Sequence, residues 1–161
     1  NTLLRQSAHR KQFAPWDEQL VCLSQALHEF RAAYFEAWFH AFNEILPVLT
    51  SFSCTLAYDK GWDKKNENKG LDEILEQQFA MDLQRQYTHS GAHQADVLFE
   101  ARGKKAKQTL SRGQQKMVLI ALKLAQAKLL PDACAYLFDD VTTELDEIHI
   151  NGLFEALEQI Q

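Results

Sequence analysis

Leu110-Ser111-Arg112-Gly113-Gln114-Gln115-Lys116, running straight into the apolar stretch Met117-Val118-Leu119-Ile120-Ala121-Leu122, is the part of the sequence on which the fold turns. Ser111 with Gln114 three residues later is the pattern of a capping box, in which each side chain satisfies a backbone donor at a helix start. The apolar stretch, extended by Leu124 and Ala125, predicts a helix that must be covered nearly all round. After Pro131, the short apolar run from Ala133 to Phe138 is consistent with a strand buried on both faces. That run, Tyr136-Leu137-Phe138, delivers Asp139 and Asp140 side by side at its carboxyl end. Asp146 or Glu147 then opens a last helix, in which Ile150, Leu153, Phe154 and Leu157 recur at helical spacing. A helix–strand–helix series of this kind is α/β.

Both features allow two readings. A serine hydroxyl, a glycine that admits close backbone approach and free amides at a helix N-terminus together form a phosphate site, and Arg112 adds positive charge there. Ser111 and Gln114 equally make a plain helix cap. A carboxylate at the end of a parallel strand is where a phosphate-bound Mg²⁺ is held, and a second one beside it can orient a water. The same pair equally ends a strand in an Asp-rich turn.

Upstream, Phe52, Cys54, Leu56 and Tyr58 alternate with Ser53, Thr55 and Ala57, the period of a half-buried strand. Asp59 to Gly70 (DKGWDKKNENKG) is a polar loop, and Leu71 to Arg85 an amphipathic helix with Leu71, Leu75, Phe79 and Leu83 near one face. Ser90-Gly91-Ala92-His93 turns into a strand around Val97 to Ala101, and Gly103 turns a hairpin. From Arg102 to Lys116 there are six basic residues and no acidic one. Arg102, Lys104, Lys105 and Lys107 are therefore candidate phosphate contacts, each worth roughly −0.9 in the slope of log K against log salt, or else a solvated hairpin tip. His93 reads as a hydrogen-bonded turn residue as readily as a functional one.

At the N-terminal side, residues 1–11 can close a helix, which Ala14-Pro15-Trp16-Asp17 breaks; Asp17 is placed to cap a second. In that second helix Leu20, Leu23, Leu27, Phe30, Tyr34, Ala37 and Ala41 step by three and four, a heptad-like seam. It is expected to run from about Asp17 to Leu46, roughly 45 Å, with Pro47 ending it. Phe35, Trp38, Phe39 and Phe42 widen the seam, and Trp16, Trp38 and Trp62 read as packing residues.

Composition bounds the whole. The chain has 161 residues, 17 basic and 22 acidic, a formal charge of −5, and is 46% apolar and 24% charged. Those are values of a globular chain with a real core, and they exclude a disordered tail, a collagen-like fibre and a histone-like polycation. No run approaches the ~18 apolar residues of a membrane span, and the opening NTLLRQSAHRKQ lacks the apolar centre of a signal peptide. Three widely spaced cysteines without CxxC fit a reducing compartment, so the cytoplasm is expected. Six scattered histidines carry no zinc spacing. The chain lacks an initiator Met and reads as a piece of something longer.

Taken together, Ser111 to Gln114, Asp139-Asp140 about 25 residues on, and Glu144-Leu145-Asp146 six past Asp140 resemble the signature motif, Walker B and D-loop of ABC-type ATPases. PWDEQL, DKGWDK, YTHSGAHQADV, LSRGQQK and YLFDDVTTELDE narrow the resemblance to the RecF family, bacterial recombination mediators with an SMC-like head, over nearly the whole chain. Ala92 departs from it, since many of that family carry Pro between the Gly and the His. No GxxxxGK[ST] occurs, the glycines standing at 61, 70, 91, 103, 113 and 152. In the family that P-loop lies upstream of the helical arm.

The resemblance implies a partial ABC/SMC-like ATPase head, α/β in class and without its P-loop. Residues 1–48 would be a helical arm of antiparallel helices, and 49–161 the part of the head carrying signature, Walker B and D-loop. It implies ATP sandwiched in a head-to-tail homodimer, with Ser111, Arg112, Gly113 and Gln114 contacting a γ-phosphate in trans. Asp139 would help hold Mg²⁺, Asp140 polarise the attacking water, and Asp146 lie across the dimer interface. An Asp in place of the more usual Glu at 140 implies a slow ATPase and a long-lived clamp, with this chain alone inactive. Gapped DNA and single-strand/double-strand junctions, RecR and RecO would be the partners, with no membrane involved, in gap repair and the SOS response. Two other readings stand beside it: a non-enzymatic partner-binding module, and the head of another SMC-like repair machine.

Overall fold

The structure is a computed structural model that describes residues 2–6, 9–65, 67–130, 135, 137, 139 and 147–158. In chain order the elements are α1 (Thr2–Arg5), a 3-10 turn (Arg10–Gln12), α2 (Ala14–Leu49), β1 (Thr55–Asp59) and α3 (Leu71–Arg85). A second 3-10 turn (Ala92–Gln94), β2 (Asp96–Ala101), β3 (Lys104–Lys105), α4 (Ala106–Thr109), α5 (Arg112–Lys128) and α6 (Glu147–Glu158) follow. The strands form one sheet in the order β1-β2-β3.

Several expected boundaries move, each for a local reason. The N-terminal helix is only α1, four residues long. The long helix α2 has 36 residues, about 54 Å, and starts at Ala14. Phe13 O accepts the Trp16 and Asp17 amides at 2.9 and 2.8 Å. Pro15 fits the first turn, where its missing N–H has no acceptor to lose. Asp17 is thus not the cap; its carboxylate pairs with Arg10. Pro47 lies inside the last turn, so only one helical bond is forfeited before Leu49. Thr50 then closes the end, its N–H and hydroxyl meeting Leu46 O at 2.9 and 3.2 Å. Strand β1 begins at Thr55 rather than Phe52, while Cys54 and Leu56 are buried as the alternation requires. Of the strand expected over 133–138 only residues 135 and 137 are described; neither lies in a strand, and both are exposed, Leu137 to 96%, so the burial expected of that run is not found at them.

The chain divides into two compact units, residues 1–33 with 58–97 and residues 34–57 with 98–161. In the first, Trp62, Leu71, Ile74, Leu75 and Ala92 form a core against which Leu20 and Val21 pack. Of the expected heptad seam this unit packs only Leu20 against its core. Leu23, Leu27 and Phe30 are 61%, 41% and 76% exposed. The inward face is set one residue round, by Val21, Ser24, His28 and Arg31, and mostly through hydrogen bonds. Ser24 Oγ accepts the Ala92 amide at 3.4 Å, and Arg31 donates to Ala92 O at 2.5 Å. His28 stacks on Tyr58, with ring centroids 5.7 Å apart, and meets the edge of Trp62. Burial, with Lys60 nearby, holds the His28 imidazole below its usual pKa.

The DKGWDK loop and the GAH turn interlock in this unit. Gly91 donates to Gly61 O at 3.0 Å, and Gly61, at φ +92, has room for no Cβ. Asp63, buried, accepts the Glu67 amide at 2.9 Å and Lys60 Nζ at 3.4 Å. Burial pushes its carboxyl up, but these bonds outweigh it and hold the group below the usual range. Of the two readings of His93, the structure shows the hydrogen bond that the first requires, its Nε2 lying 3.0 Å from Thr88 O.

In the second unit Phe42, Met117 and Leu124 are fully buried. Trp38 Nε1 donates to Leu122 O at 3.0 Å, and Glu44 pairs with Lys128 at 2.5 Å. Helix α6 passes close to the end of α2, since a Cβ on Gly152 would stand 2.8 Å from Val48 O. Helix α5 buries Met117, Val118, Ile120, Ala121, Leu122, Leu124 and Ala125, while Leu119, 55% exposed, and Lys123 face outward, so the cover is one-sided rather than complete. Trp62 and Trp38 pack as expected; Trp16 is exposed instead. Among the described residues no helix is long and apolar enough to cross a membrane.

Candidate functional site

Ser111 caps α5 as its sequence predicts. The Gln114 amide donates to Ser111 Oγ at 3.3 Å, and the Ser111 amide to Gln114 Oε1 at 3.0 Å, closing a full capping box. Only the lone pairs of the serine hydroxyl are engaged by this bond, so its proton is available to an outside acceptor. The Arg112 and Gly113 amides stand in the first turn, where a helix has no internal acceptor to offer them. Ser111 and Arg112 are exposed, and Gly113 and Gln114 half-buried. The cap reading and the anion-site reading thus coexist: one hydroxyl can cap inward and donate outward, beside two amides and a guanidinium.

The basic group lies immediately before this turn. Arg102 and Gly103, at φ +54 and +70, make a two-residue turn with both residues left-handed, the twist that suits a tight hairpin. Strands β2 and β3 pair antiparallel, Glu100 opposite Lys105 and Ala101 opposite Lys104. Arg102, Lys104, Lys105 and Lys107 are all exposed. From the hairpin the chain enters α4, whose end is held by the Leu110 amide on Ala106 O at 2.9 Å. Thr109 Oγ1 returns to Lys105 O at 3.3 Å. Ala106 and Leu110 are buried, so the one-turn helix is anchored at both ends.

Asp139 is exposed at a bend. Asp140 and Asp146 lie outside the described residues. Among the described residues no group of three His, Cys, Asp or Glu side chains is placed to hold a metal ion. The structure therefore brings Ser111, Arg112, Gly113 and Gln114 onto one turn, with Arg102, Lys104 and Lys105 on the hairpin and Lys107 on α4 just before it.

Two contributors carry little or no signal in the sequence. Gln115, next to the capping glutamine, donates its side-chain amide to Leu110 O at 2.9 Å and to Lys107 O at 3.4 Å. The doubled glutamine is its only trace in the sequence. The other is the Gly61–Gly91 interlock, which ties the loop to the turn.

No protein-family model matches the chain. Among curated proteins it is 35% identical, over all of its length, to the DNA replication and repair protein RecF of Proteus mirabilis, of which it covers 45%. It is 36% identical over all of its length to that of Cronobacter sakazakii, covering 46%, and 38% identical over 98% of its length to that of Pectobacterium atrosepticum, covering 44%. The chain thus spans a little under half the length of the curated relatives it matches. Among solved structures, one described as the recombination mediator protein RecF-ATP in the RecFOR pathway superposes with a TM-score of 0.78 over 99% of this chain and 46% of that one, at 21% identity. A second, of RecF-ATPrS, gives 0.68 over 79% of this chain and 36% of that one, at 18% identity. The fold is accordingly part of an α/β head of that kind. With its whole length aligned to these relatives and its backbone superposing on that of the solved structures, the chain is similar to a stretch of RecF a little under half that protein's length.

Proposed function

We propose that this chain is the part of a RecF-type DNA replication and repair protein that closes over ATP held by a second subunit. Ser111, Arg112, Gly113 and Gln114 contact the γ-phosphate in trans, and ATP joins two heads into a clamp on gapped DNA or a single-strand/double-strand junction. Arg102, Lys104, Lys105 and Lys107 contact the DNA backbone. Asp139 lends one carboxylate to Mg²⁺, which needs few protein ligands because phosphate oxygens and water complete its octahedron; its exposure fits that part. Asp140 polarises the attacking water, and Asp146 faces the other subunit. Residues 1–48 serve as the arm and 49–161 as part of the head. RecO and RecR are the protein partners, the setting is the cytoplasm, and the process is gap repair with the SOS response.

The observation that supports this reading most is the exposed, fully formed capping box of Ser111, with Arg112 and two first-turn amides beside it. In the intact protein, Ser111→Arg should abolish ATP-induced dimerisation, measured by sedimentation, while each monomer still binds ATP. A variant that dimerises normally rules out the trans contact. The exposed stripe Leu23, Phe30 and Tyr34 favours one alternative, a partner-docking module with inert ATPase motifs. On that alternative the arginine variant changes nothing.

A further inference from the structure

Gln115 stands four residues into α5, half-buried, where a glutamine side chain could turn to water at no cost. Instead it spends its amide on two carbonyls of the preceding segment, Leu110 O at 2.9 Å and Lys107 O at 3.4 Å. Those carbonyls end the one-turn helix α4 and have no partner of their own within it. Its backbone amide meanwhile bonds Ser111 O at 2.9 Å. One residue therefore grips the chain on both sides of Ser111.

The bonds continue in both directions. Ser111 and Gln114 hold each other through the capping box, at 3.3 and 3.0 Å. On the other side Thr109 Oγ1 meets Lys105 O at 3.3 Å, and Lys105 pairs with Glu100 in the hairpin. Hydrogen bonds, joined by the backbone of α4 between them, thus lead from the exposed serine hydroxyl to the exposed basic hairpin, and Gln115 is the side chain that bridges their middle.

We propose that Gln115 is a positioning residue through which the Ser111 turn and the basic hairpin move as one, so that nucleotide contact at the turn sets the DNA affinity of the hairpin. This rests on the function proposed above. A turn displaced by a γ-phosphate carries Ser111 O and Leu110 O with it, and Gln115 passes the displacement to Lys107. Without its amide, α4 and the hairpin are free to stay where they are.

The test uses the intact protein, with gapped duplex DNA and fluorescence anisotropy, with and without ATP. Gln115→Leu keeps the volume and removes both donors; Gln115→Glu keeps the shape and sets carboxylate oxygens against two carbonyls. Both variants should bind ATP, and DNA without nucleotide, as the parent does. The gain in DNA affinity on adding ATP should fall by about fivefold or more, the range in which coupling between two sites is ordinarily felt. A merely structural role would not move this ratio while sparing the two separate affinities. If both variants keep the parent's gain, the inference is wrong and the proposed function stands. If either separate affinity collapses, Gln115 is a fold residue and the inference is likewise wrong. A parent protein whose DNA binding ignores ATP overturns the proposed function, and the inference falls with it.

Discussion

Gly61 and Gly103 both have positive φ, but their surroundings differ, and substitution should separate them. At Gly61 a Cβ would stand 2.2 Å from Gly91 O and 2.6 Å from the Ala95 amide, both backbone atoms that cannot turn aside. At Gly103 it would meet nothing within 4 Å. Gly61→Ala should therefore cost about 3 kcal/mol or more. Gly103→Ala should cost only the left-handed penalty of about 1–2 kcal/mol. Urea unfolding of the two variants measures the difference. Asp82 supplies a pH-dependent counterpart. Its carboxylate is buried and accepts the His89 amide at 3.2 Å. Burial raises its pKa despite that bond and the nearby His89 and Arg85. A raised folded value means the stability due to its protonated form is present at low pH and lost as pH rises through that value. Asp82→Asn keeps the acceptor without the charge, so it should unfold at higher urea than the parent at neutral pH. The advantage should shrink toward zero by about pH 4 and below, as the parent itself becomes protonated.

The β2–β3 hairpin and α5 are the elements that tie the fold to its proposed work. Four exposed cations project from six consecutive residues, three in the hairpin and Lys107 on α4, and Glu100 is the acid paired with Lys105 in the hairpin. If they neutralise DNA phosphates, replacing all four by Ala in the intact protein should flatten the dependence of log K on log salt by about 0.9 for each phosphate left without its cation. A solvated hairpin tip would leave the slope unchanged, and titrations across salt concentrations tell the two apart. Helix α5 depends on packing instead. Met117 is fully buried, and Met117→Ala should cost about 2–5 kcal/mol, read from denaturant unfolding.

For the whole molecule, the sequence pattern dictates one further outcome. A chain with no GxxxxGK[ST] offers Ser111 and Arg112 to a triphosphate but cradles none, so calorimetric titration of the 161-residue chain with ATP should show no tight, stoichiometric binding. Tight binding would mean that a different site holds the nucleotide. The features that could be read from the chain directly are local ones, spanning a few residues. The Ser111–Gln114 cap, the limits of α3 and the turn at Gly103 were all legible, because caps, amphipathic periods and tight turns are satisfied by near neighbours. The Asp139-Asp140 pair and Asp146 were legible as residues, while their mutual placement is not something spacing can supply. Which face of α2 is buried was settled by long-range packing. Apolar periodicity nominated Leu23, Leu27 and Phe30, yet Ser24 and Arg31 turned inward because Ala92, 68 and 61 residues away, offered them an amide and a carbonyl. The grip of Gln115 on Lys107 and the fit of Gly61 against Gly91 have the same origin. A polar side chain or a bare glycine takes its meaning from the partner that folding brings to it, and that partner is written elsewhere in the chain.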